Sequence, residues 1–137
     1  MTNARLVPEL YVSDFDESRR FYTDVLGFTI LYSRLEDRFA YLDREGAQIM
    51  IEQSVGRAWI TGDLQYPYGR GVNFEIEASD VDTLYVRVQE SGATVFLPIE
   101  EKWYRRDDTE VGNRQFIVQD PDGYLLRFAQ DLGERPA

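Results

Sequence analysis

In the segment Tyr124–Gln130 the bulky residues Tyr124, Leu126 and Phe128 alternate with Leu125, Arg127 and Ala129. A strand reads this way when its bulky set packs on a helix, which turns Arg127 to the opposite face. Ala47–Gln53 has the same pattern: Ile49 and Ile51 face inward, while Gln48, Met50 and Glu52 face away. A guanidinium in such a place needs a carboxylate, and Glu52 or a carboxylate of a second copy could supply it as a structural ion pair. The same guanidinium could equally hold an anionic group of a ligand. Glu52 and the phenol of Tyr104 are also the groups able to serve as a general base. A further set is aromatic: Trp59, Tyr66, Tyr68, Trp103 and Tyr104. Such rings either stack on a flat ligand or pack at a core edge or subunit contact.

The remaining composition narrows the chemistry. The chain has no histidine and no cysteine. A Ser-His-Asp triad, a Cys-His pair and the usual zinc sites are therefore excluded, as are disulfides. A metal site could be built only from oxygen ligands. Fifteen Lys and Arg against 25 Asp and Glu give a net charge of -10. That balance argues against nucleic acid, which requires a basic footprint, and suits a cationic ligand or plain solubility. Glu100, Glu101, Asp107, Asp108 and Glu110 concentrate part of it, and Lys102 is the single lysine. No apolar run is long enough to span a bilayer, and the start MTNARLVPEL is not a signal peptide, so a cytoplasmic protein without membrane contact is expected.

The elements that position these residues occur twice. A strand over Leu6–Val12 leads to Ser13-Asp14, where Asp14 is a helix N-cap with Glu17 three residues on. The helix runs to Leu26 and stops at Gly27. Strands follow at Phe28–Arg34, Arg38–Asp43 and Ala47–Gln53. Val72–Ala78, Ser79-Asp80, a helix to Ser91 and Gly92 repeat the order, and Asp120-Pro121-Asp122-Gly123 echoes Asp43-Arg44-Glu45-Gly46. The organisation is βαβββ twice, with module one over about residues 5–53, a linker over about 54–70 and module two over about 71–131. The second copy has extra residues in Leu97–Asn113, read either as a binding loop or as longer strands turning at Val111-Gly112-Asn113. The linker is rich in glycine and proline and carries Trp59, Tyr66 and Tyr68.

Tyr11-Val12-Ser13-Asp14, Arg20–Phe28 and Asp120-Pro121-Asp122-Gly123-Tyr124, in this order and spacing, resemble the glyoxalase, bleomycin-resistance and extradiol-dioxygenase (vicinal oxygen chelate) superfamily. The resemblance implies one α+β domain over residues 1–137, with two βαβββ modules lining a cup-shaped pocket, and a homodimer. Metal enzymes of the superfamily hold their ion at four places, which here fall near Val7, Met50 or Glu52, Asn73 and Arg127. Valine offers no donor and arginine repels a metal, so no metal and no cofactor are expected. The closest branch is bleomycin resistance. It implies a metal-free binding protein that sequesters a bulky cationic aromatic antibiotic, with Glu52, Trp59, Tyr66, Tyr68, Asn73, Trp103, Tyr104 and Arg127 as ligand residues. A glyoxalase-like lyase or isomerase, a dioxygenase-related enzyme, and a relative serving another natural ligand are the alternatives.

Overall fold

The computed structural model describes residues 3–54, 56 and 58–137. Val55 and Arg57, both in the linker, lie outside the described residues. The elements are β1 (Glu9–Tyr11), α1 (Phe15–Arg20), β2 (Thr29–Arg34), β3 (Phe39–Arg44), β4 (Ala47–Glu52), β5 (Asn73–Glu77), α2 (Val81–Glu90), β6 (Val95–Arg106), β7 (Thr109–Gln119) and β8 (Leu125–Pro136). The fold is α+β, with two four-stranded mixed sheets of order β1-β4-β3-β2 and β5-β8-β7-β6. The chain forms two compact units, one of residues 1–68 and 121–123, the other of 69–120 and 124–137.

The first unit follows from its caps and alternation. Asp14 accepts the N–H of Glu17 at 3.2 Å, which starts α1. A π-helical turn over Phe21–Val25 continues it, and Gly27, at φ +82°, ends it. Leu10, Leu42, Ile49 and Ile51 are buried on the helix side, with Phe15, Tyr22 and Phe28. The first strand covers three residues only, so Leu6 and Val7 lie ahead of it.

In the second unit Asp80 accepts the N–H of Thr83, and Gln130 of β8 accepts the N–H of Val81. Val81, Leu84 and Val88 of α2 are buried, as are Phe116, Val118, Leu126 and Phe128 of the sheet. Tyr85 of α2 meets Phe116, which stacks on Phe128 with ring centres 5.6 Å apart. The extra residues of the second copy prolong the β6–β7 hairpin, and β8 extends beside it to Pro136. The turn lies at Asp107-Asp108, with Asp107 at φ +58°, and not at Val111-Gly112-Asn113, which belongs to β7. Gly112 serves packing instead: a Cβ there would come within 2.7 Å of the Trp103 ring.

Candidate functional site

Each sheet has a face turned away from its helix, and the chemistry-bearing residues collect there. In the first unit β1 and β4 run parallel, with Glu9 opposite Met50 and Tyr11 opposite Glu52. Antiparallel pairing with β3 then brings Tyr41 beside Met50 and Phe39 beside Glu52. Tyr32 of β2 stacks on Tyr41 at 5.2 Å between ring centres, and the Arg34 guanidinium lies 4.0 Å above the Phe39 ring. The Tyr41 hydroxyl donates to Gln48 Oε1 at 2.8 Å, and Gln48 Nε2 donates to Asp43 at 3.0 Å. Burial, then the charge of Glu52 beside it and their mutual hydrogen bond, push the Glu9 carboxyl above the usual range. This face is thus a short aromatic ladder, with Tyr41 and Phe39 buried against Tyr32 and Arg34, edged by a carboxyl pair.

In the second unit Arg127 faces away from the helix, as its alternation requires. Its partner is Glu75 of the adjacent parallel strand, at 3.3 Å, where the sequence offers Glu52 or a carboxylate of a second copy. The physical reason is register: β5 and β8 set Glu75 directly beside Arg127. Asn113 also donates to Glu75, at 3.4 Å. One strand further, Gln115 Nε2 donates to the Tyr104 hydroxyl at 2.6 Å and to Glu100 at 3.0 Å. Among the described residues, Gln115 Oε1 and Arg127 Nε are buried without a hydrogen-bond partner. Each such atom is costly unless something else satisfies it.

The predicted site residues separate accordingly. Glu52, Trp59, Tyr66 and Tyr68 belong to the first unit, and Asn73, Trp103, Tyr104 and Arg127 to the second. Trp59 is 73% exposed and its backbone N–H donates to the Tyr11 hydroxyl at 3.1 Å. Tyr66 is also largely exposed, while the N–H of Tyr68 donates to the Asp122 carbonyl at 2.8 Å. Asn73 is exposed at the start of β5. Trp103 and Tyr104 are consecutive on β6 and therefore project to opposite faces. Trp103 lies on the helix side, against Gly112 and beneath the Arg135 guanidinium at 4.1 Å, whereas Tyr104 joins Gln115. Asp122 does more than form a turn, since it accepts both the N–H and the hydroxyl of Ser13.

Sequence reasoning missed Glu9, Glu75, Gln115 and the Tyr32–Tyr41–Phe39 ladder. A signal for the two glutamates was present: each stands five residues before its capping aspartate, Asp14 or Asp80.

The chain belongs to the glyoxalase/bleomycin resistance protein/dioxygenase superfamily, whose family model matches residues 5–128. It is 28% identical to the bleomycin resistance protein of Geobacillus stearothermophilus, over 92% of this chain and 96% of that one. A Staphylococcus aureus bleomycin resistance protein matches with the same figures. Among solved structures, TioX from Micromonospora sp. ML1 is 26% identical with a TM-score of 0.71, covering 95% of this chain and 100% of that one. The fosfomycin resistance protein FosX from Listeria monocytogenes shares the fold, at 19% identity and a TM-score of 0.61 over 94% and 92% of the two chains.

The metal positions of the superfamily can be tested against these residues. Val7 has no donor atom, Asn73 is a weak ligand, Arg127 is a cation already tied to Glu75, and of Met50 and Glu52 only the carboxylate is a competent ligand. This set does not suit a divalent metal.

Proposed function

We propose that the chain is a metal-free small-molecule-binding protein of the bleomycin-resistance type, which sequesters a bulky cationic aromatic compound and performs no chemistry on it. The observation that carries the reading is the Arg127–Glu75 pair. It fills with a neutralised cation a place where metal-dependent relatives hold a ligand. The bleomycin resistance relatives, matched along nearly their whole length, support sequestration of a drug. The net charge of -10 and the exposed rings of Trp59, Tyr66 and Tyr32 suit a flat, positively charged ligand. In this reading the protein works in the cytoplasm as a homodimer, and Trp59, Tyr66, Tyr68, Trp103, Tyr104, Glu52, Asn73 and Arg127 contribute to ligand contact. The exposed apolar side chains Ile30, Ile60, Leu64 and Phe96 favour a partner of the same chain.

The test is titration of metal-stripped protein with a bleomycin-type glycopeptide, read by calorimetry and tryptophan fluorescence. Saturable binding with quenching and no requirement for added metal is expected. Absence of both heat and quenching at micromolar ligand would refute sequestration of this class. One tightly bound divalent ion per chain by elemental analysis would refute the metal-free reading.

A further inference from the structure

A second cavity, of about 500 Å³, lies in the first unit away from the aromatic ladder. It is lined by Ser13, Asp14, Phe15, Asp16, Arg19, Leu35, Arg38 and Gln53. Among the described residues, Arg38 and Gln53 offer hydrogen-bond donors that have no acceptor. Arg19 also lines the cavity, with its Nε buried out of a ligand's reach and a terminal nitrogen 3.6 Å from Asp16. Gln53 commits its Oε1 to the N–H of Phe15 at 2.9 Å, which leaves its amide NH2 as a donor. Arg38 has no ion pair among the described residues, because its neighbour Asp37 is held by Arg34 at 3.2 Å.

Asp14 and Asp16 share the lining with the two arginines, so its formal charge is balanced and selectivity rests on which donors are uncommitted. Asp14 accepts the N–H of Glu17. Asp16 lies 3.6 Å from Arg19 NH2, whereas Arg38 makes no ion pair among the described residues. Arg38 also sits at φ +49°, in the left-handed region where glycine is the unstrained choice. Leu35, 64% exposed, supplies an apolar wall at the same mouth.

We propose that this cavity binds a small organic oxyanion, a carboxylate or phosphate monoester on an apolar body. Arg38, Arg19 and Gln53 would take the oxygens and Leu35 the apolar part. The site is separate from the ligand surface of the preceding section and does not depend on it. Two forked guanidinium groups match the two or more acceptor oxygens of such an anion. The apolar wall should make the organic anions bind better than inorganic phosphate.

The experiment is titration of the full-length protein with benzoate, phenyl phosphate and inorganic phosphate, followed by backbone amide shifts. Benzoate or phenyl phosphate should give saturable shifts at Arg38 and Gln53, with inorganic phosphate at least several-fold weaker. Arg38→Gly should weaken the organic anion at least tenfold while leaving the thermal midpoint unchanged or higher, since glycine relieves the left-handed backbone. No shift with either organic anion would overturn the proposal. So would equal affinity for inorganic phosphate, or an Arg38→Gly affinity within twofold of the parent.

Discussion

Removing Glu75 should hurt this protein more than removing Arg127, although they form one ion pair. The two groups are 3.3 Å apart, and the Arg127 side chain is 25% exposed against 50% for Glu75. At an effective dielectric near 20, charges about 4 Å apart attract by about 4 kcal/mol. Exposure and side-chain entropy reduce the net worth of a half-exposed pair to about 1 kcal/mol. What remains after each truncation then decides the order. Glu75→Gln leaves a largely covered guanidinium whose Nε already lacks an acceptor, and an under-satisfied buried donor costs about 1–3 kcal/mol. Arg127→Met removes that orphan donor and leaves a carboxylate that water can reach. Glu75→Gln should therefore destabilise by about 1–2 kcal/mol and Arg127→Met by less than about 1 kcal/mol, by these same magnitudes. The double variant should reveal a coupling of about 1 kcal/mol that shrinks in molar salt. Urea unfolding of the four proteins, at matched slopes, measures all of this. An Arg127→Met cost above that of Glu75→Gln would refute the reasoning.

Two further outcomes follow from the same faces. Glu9 titrates above its usual range when folded, because of burial and Glu52. Its contribution is most favourable below the unfolded pKa and is lost as pH rises through the raised folded one, so Glu9→Gln should increase stability at neutral pH and flatten the urea midpoint between mildly acidic and neutral pH. Gly112→Ala would force a methyl to within 2.7 Å of the Trp103 ring. The expected cost is about 1–3 kcal/mol, with Trp103 emission shifted as the ring leaves Arg135, and a change below about 0.5 kcal/mol would contradict the packing described.

The duplicated order of elements was legible because its punctuation is local. Asp14 and Asp80 cap helices, Gly27 and Gly92 end them, and both facts lie within a few residues of sequence. Strand alternation likewise placed Arg127 on the correct face. The hairpin turn was misplaced because Val-Gly-Asn looks like a turn, whereas Gly112 is there to admit Trp103 from the neighbouring strand. The partner of Arg127 was missed for a related reason. Glu75 lies 52 residues away, and only the parallel register brings it alongside. Trp103 and Tyr104 were both candidate ligand residues, and as adjacent strand residues they project to opposite faces. The carboxyl pair and the aromatic ladder needed three strands in register before they existed as a surface.

The two sheets use one slot in opposite ways. Met50 and Arg127 each stand seven residues past the turn aspartates Asp43 and Asp120, and each is registered against a glutamate, Glu9 or Glu75. In one copy that glutamate neighbours another acid, and in the other it neighbours a guanidinium. Acidification should therefore relieve the first sheet, where protonating Glu9 removes a like-charge contact, whereas added salt weakens a repulsion there and an attraction in the second sheet. The duplication thus sets one register position under opposite electrostatic signs, so that the same screening stabilises one half and weakens the other.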